Sequence, residues 1–335
     1  MTKLSVIIIG RNEASHIKRC LLSVLKGIQT VPDTEVIYSD SASTDNTIDI
    51  VRQYPVHIYQ LKPDWPLSAA AGRYTAYRHA SGKYLFFIDG DTLLYRNWLP
   101  RGIRFLEEHQ EAAVVAGSVH EIFEDEAGKT VGFLKHRYGH LAGPASVKAM
   151  GGIALYRKSV LDQVGPFNPF IAADEEPELG IRIRHAGYRL FRLPEPMAIT
   201  YGLPRQTVGE LFRRYQSRLY TFGTTLRYCQ KNGYGLQYIR ERLGHLVSYV
   251  LVMTGFTAVA VFLIRQGWFL YGIGSGCLAV LLLRVTRPSL YRRLWISFIK
   301  RTLMTVRTVQ TYILTKPEPF IKYPEDALYI APEAQ

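Results

Sequence analysis

The sequence predicts an α/β protein: a mostly parallel sheet covered by helices, then a two-helix transmembrane hairpin and a basic C-terminal tail. Three observations carry this. Short apolar runs alternate with helical patterns through the first half of the chain, as in a parallel sheet with both faces covered. The run Lys83-Tyr84-Leu85-Phe86-Phe87-Ile88 closes on Asp89-Gly90-Asp91, which puts two carboxylates at the C-terminal edge of a buried strand. From Arg242 through Lys316 there is no Asp or Glu, and two long apolar runs fall inside that stretch.

In chain order, Leu4–Ile9 reads as a first strand, and Ile17, Leu21, Val24, Leu25 and Ile28 recur at helical spacing after it. Glu35–Tyr38 is a second strand. It ends in the polar run Ser39 to Asp45, which leads to a helix from about Thr47, with Asp45 as its N-cap. Val56–Gln60 is a third strand, Ser68–His79 a helix carrying Arg73, and Tyr84–Ile88 a fourth strand. Ala112–Ser118 adds another. Between Glu121 and Met150 the pattern is weak and reads as a mobile segment near an acceptor site. Gly151–Arg157 restores a strand, Ser159–Val164 begins a short helix, and Leu179–His185 is an amphipathic helix ended by Gly187.

Leu246–Ile264 and Gly267–Leu283 are each long enough to cross a hydrocarbon core of roughly 30 Å. Only Arg265-Gln266 separates them, so a tight hairpin with both ends on one side is expected. Arg240 and Arg242 precede the pair, and Arg284, Arg287, Arg292, Arg293, Lys300, Arg301 and Arg307 follow it. By the positive-inside rule, the catalytic half and the tail face the cytoplasm at the inner membrane. Ser289–Leu314 mixes Trp295, Phe298 and Ile299 with cations and suits a membrane surface. The expected domains are 1–240, catalytic; 241–285, the hairpin with spans 246–264 and 267–283; and 286–335, the basic tail. The net charge of +13 gathers beside apolar runs, so the expected partner is a lipid bilayer and not nucleic acid. Cys20, Cys229 and Cys277 lack metal-site spacing and point to a reducing compartment. Leu4–Ile9 is too short for the core of a signal peptide.

Asp89 and Asp91 suit a hard divalent cation, because Mg²⁺ takes one or two protein carboxylates and completes its shell with phosphate and water. Asp40 lies just past the second strand, where a carboxylate can accept hydrogen bonds from a base or ribose. Arg11-Asn12-Glu13 follows Gly10 at the same edge, and Arg73 could hold a phosphate. Asp174-Glu175-Glu176-Pro177-Glu178 packs four carboxylates into five residues, so mutual repulsion should raise some of their pKa values. A raised carboxylate pKa suits proton removal from a sugar hydroxyl. His136 and His140 stand four apart, but Gly139 and Gly143 argue against a helix presenting both to a metal.

Taken in order, these segments resemble the family 2 glycosyltransferases of GT-A fold, a Rossmann-like architecture. They are Ser5–Ile9 with Asn12-Glu13, Asp40–Thr47, Ala80–Tyr84 running into Asp89-Gly90-Asp91, Gly151-Gly152 with Tyr156-Arg157, Val164–Phe167, and Glu175–Leu179 with Arg182 and Arg184. The resemblance covers roughly Leu4 to Leu193, with a looser echo from Phe212-Arg213-Arg214-Tyr215 to Gly223. It implies that Asp40 contacts the nucleotide base and Asp89 the ribose or metal, and that Asp91 binds Mg²⁺ or Mn²⁺ with the diphosphate. It implies Glu176 as general base with Glu175 beside it. Gly10, Asn12, Glu13, Arg73 and Gly90 fall on the donor side; Gly152, Arg213 and Arg214 are candidate phosphate or acceptor contacts. Two departures stand out. The family commonly has Asp at the base position, so Asp174 or Glu175 could be the working group. Ile-Gly-Arg-Asn also replaces the common Pro-x-Tyr-Asn, which leaves the base-stacking contact open.

The expected activity is inverting, metal-dependent transfer of one hexose from a nucleotide sugar, UDP-linked by default, to a lipid-linked or polysaccharide acceptor. No processive-synthase motif is present. A polyprenyl-phosphate sugar transferase is the alternative enzyme, and a non-catalytic nucleotide-sugar-binding membrane protein the alternative class.

Overall fold

The computed structural model describes residues 3–125, 127–202, 208–217, 219–268, 276 and 280–333. The chain forms two compact units, Met1–Pro204 with Glu318–Gln335, and Arg205–Pro317.

The first unit is built on one sheet. β1 (Leu4–Gly10), β2 (Thr34–Asp40), β3 (His57–Gln60) and β4 (Tyr84–Asp89) run parallel, in the spatial order β3-β2-β1-β4. α1 (Ile17–Ile28) buries Ile17, Leu21 and Val24 of the expected stripe and leaves Leu25 and Ile28 half-buried, while Cys20, a free thiol, is buried beside them. A short α2 (Thr47–Val51) follows β2. Asp45 sits one residue before its N-cap and accepts the Thr47 N–H at 3.0 Å. α3 (Ala69–His79) starts at Ser68, whose hydroxyl accepts the Ala71 N–H at 3.0 Å.

The sheet is mixed, which corrects the expectation of a mostly parallel one. After β5 (Thr92–Leu94) and α4 (Trp98–Glu108), β6 (Ala112–Glu124) is separated from β4 by β9 (Ala154–Arg157), antiparallel to both. β10 (Arg189–Gly202) then runs parallel to β6, with β5 antiparallel on its far side. Alternating hydrophobicity records which face of a strand is buried but carries no sign of its direction. α4 escaped the sequence pattern because Pro100 and Gly102 interrupt it; Pro100 falls in the first turn, where a missing N–H costs nothing. The weakly patterned segment is partly ordered: β6 runs on to Glu124 and pairs with β7 (Thr130–Leu134), and β8 (Ala145–Val147) pairs with β10. α5 (Lys158–Val164) follows β9, and α6 (Glu175–His185) begins four residues earlier than its apolar period suggests. The acidic cluster is therefore the first turn of α6 rather than a loop before it.

The region 286–335 divides. Residues from Glu318 belong to the first unit, where β11 (Leu328–Ile330) caps the exposed edge of β3. Tyr323 is fully buried with Trp65, Tyr74 and Phe170, and its hydroxyl donates to the Pro66 carbonyl at 3.0 Å. Deleting that ring removes a large buried surface. Tyr323→Ala should therefore cost about 3 kcal/mol in chemical denaturation; a loss under about 1 kcal/mol would show that this segment contributes little to the fold.

The second unit is helical: α7 (Val208–Gln216), α8 (Phe222–Lys231), α9 (Gly235–Arg265, with a π turn at Ile239–Leu243) and α10 (Pro288–Leu314). α9 is long and apolar enough to cross a membrane, the one such helix among the described residues, and Leu251, Phe256 and Phe262 on it are exposed. The expected second span, Gly267–Leu283, lies for the most part outside the described residues.

Candidate active site

The parallel strands end level with one another: Gly10 pairs with Asp40, Asp40 with Gln60, and Ile9 with Asp89. The C-terminal edge of such a sheet is where its loops can converge on a ligand. The loop after β1 is tied to the loop after β2. Asn12, at φ 56°, donates its N–H to the Ser43 hydroxyl at 2.8 Å, and its side-chain oxygen accepts the Thr44 N–H at 2.8 Å. The Glu13 N–H goes to the Thr47 hydroxyl at 2.8 Å.

Asp40 is completely buried at this edge, and its carboxylate is well supplied with donors. It accepts from the Ser43 N–H (2.7 Å), the Ser43 hydroxyl (2.5 Å), the Gln60 amide (3.0 Å) and the Tyr38 hydroxyl (3.3 Å). In this geometry Asp40 shapes the loop beside the edge. Gly10 packs under the Tyr38 hydroxyl and against the Glu13 side chain.

Arg73 organises the rest. It projects from α3 into the interior, where Nη2 donates to Asp89 Oδ1 at 3.1 Å and Nη1 to Glu175 Oε1 at 2.9 Å, with Glu176 Oε1 at 3.7 Å. Its ring neighbour is Phe167, at 5.1 Å. Burial alone would lower its pKa, but Asp89, Glu176 and Glu175 outweigh that and hold the guanidinium charged. Arg73 is thus committed to carboxylates and is not the free phosphate contact expected from sequence. Gly152 permits the arrangement: a Cβ there would collide with the guanidinium and stand 2.9 Å from Asp89 Oδ2. One cation therefore links the Asp-Gly-Asp turn to the first turn of α6.

Within that turn the two glutamates differ. Glu175 is buried on Arg73, whereas the Glu176 side chain is 18% exposed and faces the same guanidinium more loosely. Glu176 is pushed up to about 8, by burial first and then by Glu175; Glu175 is also raised, chiefly by burial. Desolvation thus outranks the mutual repulsion that the sequence suggests. Asp174 caps the turn in the left-handed region, at φ 62°.

A second acidic group surrounds Asp91. Its Oδ1 accepts the Thr92 hydroxyl at 3.1 Å, and burial, then Asp89, pushes its pKa up to about 7. The Glu13 side chain packs where a Cβ on Gly90 would stand, and its pKa rises to about 8 through burial, then Asp91, Asp89 and Asp45. Among the described residues, no three His, Cys, Asp or Glu side chains form a ready-made metal cage. The fit is to a cation held by Asp89 and Asp91 and completed by phosphate, the usual arrangement for Mg²⁺. Crowded carboxylates that retain protons are what such a cation would relieve.

This crowding has a measurable consequence. Glu13 rises from 4.5 to about 8 and Asp91 from 3.8 to about 7, so between those limits the folded chain holds protons that the unfolded chain releases. Stability should then fall as pH rises through that window. Mg²⁺ or Mn²⁺ should raise the melting temperature more at about pH 8 than at about pH 6, because binding competes with protons. An equal shift at both pH values would remove these carboxylates from the metal site.

Arg213 and Arg214 lie in the second unit, on α7, where each Nε is 3.3 Å from Glu210. Sequence reasoning missed two features of the first unit. One is an open cavity of about 590 Å³ lined by His16, Arg19, Glu124 and Gly202, with Arg19 over the Tyr201 ring at 4.3 Å. Tyr201 donates its N–H to the Asp91 carbonyl at 3.1 Å, so this cavity adjoins the Asp-Gly-Asp turn. The other is the turn His136–Gly139. The His136 ring is 2.8 Å from the Ser118 hydroxyl and the Arg137 N–H donates to the Val119 carbonyl at 2.8 Å, which lays Tyr138 against Gly151. The cation- and aromatic-rich run Lys135–Tyr138 was its signal in the sequence.

The model of the family "Glycosyl transferase family 2" matches residues 5–165. Glycosyltransferase AglE of Haloferax volcanii is 29% identical over 219 residues, 63% of this chain and 69% of that protein. The succinoglycan biosynthesis protein ExoA of Rhizobium meliloti is 28% identical over 223 residues, 63% of this chain and 66% of that protein. Among solved structures, the mannosyltransferase PcManGT from Pyrobaculum calidifontis, in complex with GDP-Man and Mn2+, superposes with a TM-score of 0.58 at 16% identity, over 93% of this chain and 87% of that one. S. aureus TarS 1-349 in complex with UDP gives 0.52 at 16% identity, over 98% of both chains. At that identity the likeness is one of fold.

Proposed function

We propose, for a chain whose residues 5–165 match the model of glycosyl transferase family 2, the inverting transfer of one sugar from a nucleotide sugar to a glycan or lipid-linked acceptor at the cytoplasmic membrane face. The observation that carries it is the Arg73 bridge, which ties a diphosphate-side carboxylate, Asp89, to a base-side turn, Glu175-Glu176. Asp89 and Asp91 would hold Mg²⁺ or Mn²⁺, which when bound neutralises charge on a departing diphosphate. Glu176, partly exposed and with a raised pKa, takes the proton of the acceptor hydroxyl as that oxygen attacks the anomeric carbon. Attack from the face opposite the leaving diphosphate inverts that carbon. Arg73 and Glu175 hold Glu176 at the reacting centre without touching substrate. The exposed apolar surface of α9 and the cations on α10 support a membrane location.

The two fold neighbours hold different nucleotides, GDP-Man in PcManGT and UDP in TarS, so the donor is left to a panel of UDP- and GDP-sugars. Nucleoside-diphosphate release by the full chain in detergent should occur with one donor and stop on addition of EDTA. Release that survives EDTA would exclude the metal-dependent reading; no release from any donor, with and without glycan and polyprenyl-phosphate acceptors, would leave a binding protein.

A further inference from the structure

Arg192 is a buried cation with no ion pair among the described residues. Its residue is 9% exposed and its Nε has no hydrogen-bond partner. Its contact is with the face of Tyr138, at 4.0 Å. Other arginines in this unit behave differently. Buried Arg182 binds Glu178 and the carbonyls of Val164, Gly165 and Pro166, and half-buried Arg157 binds the carbonyls of Ala112 and His109. An arginine that served only to brace its turn would be expected to find such acceptors. A buried Nε without an acceptor carries a desolvation cost, and an anion at the guanidinium would offset it.

The surroundings say where that anion would come from. Arg192 sits where β10 breaks register against β6, in a narrow cleft with Ser118, Leu141 and Pro194. Tyr138 covers the cleft, yet its own side is 41% exposed and its hydroxyl packs on Gly151, next to the Gly152 that touches Arg73 and Asp89. A second guanidinium, Arg137, lies 5.6 Å from the same ring, and its carboxylate neighbour Glu121 is a distant 3.9 Å. A rotation of the Tyr138 side chain would open Arg192 to the space beside Glu176. On the donor side the carboxylates dominate; here two guanidinium groups face one ring.

We propose that the acceptor is anionic, and that its phosphate or carboxylate group is received by Arg192 and Arg137, the two guanidinium groups that meet at Tyr138. This rests on the transferase reading above and narrows its acceptor to a charged one. The group comes either from a lipid phosphate or from an acidic sugar, and the test separates these sources. The full chain in detergent, saturated with Mg²⁺ and the nucleoside diphosphate identified by the release assay, is titrated calorimetrically with farnesyl phosphate, methyl glucuronide and uncharged methyl glucoside. At least one anion should bind and the glucoside should not. Arg192→Met should weaken that anion by at least about tenfold while retaining the nucleoside diphosphate. Because the substitution removes an unpaired buried charge, Arg192→Met should also melt no lower than the parent, whereas loss of a mere brace would lower melting. No binding of either anion, or equal binding by Arg192→Met, overturns the proposal. Failure of donor release instead overturns the transferase reading on which it stands.

Discussion

Asp91→Asn should cut nucleoside-diphosphate release by about a thousandfold while leaving the chain folded, the scale seen when a pre-placed charge at a transition state is removed. The asparagine keeps the shape of the side chain and still accepts the Thr92 hydroxyl, a contact of 3.1 Å in the parent. What it loses is the charge. In the parent that charge is held at a cost, since burial and Asp89 push the pKa up to about 7. The variant should therefore melt at or above the parent near pH 8, with activity and stability moving in opposite directions. Added Mn²⁺ should restore part of the rate only at higher concentration, because Asp89 remains as a single carboxylate ligand and is itself tied to Arg73 at 3.1 Å. Release above about a tenth of the parent rate at saturating donor would take Asp91 out of the metal site.

Much of this edge of the sheet was legible in the sequence because it depends on local order. The apolar run 84–88 and the carboxylates after it needed only strand periodicity and the rule that ligands gather at strand C-termini. The family resemblance extended to Glu175-Glu176. Non-local facts were not legible. Arg73 reads as an ordinary helix cation, and its commitment to Asp89 and Glu175, 16 and 102 residues away, arises only on folding. Asp40 reads as a ligand contact, yet Gln60 and Tyr38 reach it from neighbouring and near positions in the sheet and occupy its oxygens. The return of residues 318–335 to the first unit was hidden by their distance from the sheet and by the basic stretch before them. Phe320 on the Arg182 guanidinium at 5.5 Å and the pairing of Tyr329 with Tyr59 are tertiary matches that no local pattern announces.

Glu176→Gln should lower transfer to a hydroxyl acceptor by about a thousandfold, within the range for loss of a general base. Three neighbouring acids compete for the role, and the structure gives each a different expectation. Asp174 stands in the left-handed region at φ 62°, which asparagine tolerates well, so Asp174→Asn keeps the turn and removes the charge. Glu175→Gln loosens a buried 2.9 Å ion pair with Arg73 and should act through the position of Glu176, with a smaller fall in rate. Only Glu176 combines exposure with a pKa near 8. A carboxylate raised from 4.5 to about 8 stays protonated below that value, and only its ionised form can take a proton. The parent rate should therefore climb about tenfold per pH unit below the midpoint and level off above it. A cation at Asp89 and Asp91 favours the ionised form and should move the midpoint to lower pH. In Glu176→Gln that limb should vanish together with the rate. If the limb vanishes but the rate survives, the acceptor needs no base, as with a nucleophile that is already an ionised phosphate. Arg192 and Arg137 would then be holding the reacting group itself, and the polyprenyl-phosphate alternative would replace the hydroxyl acceptor.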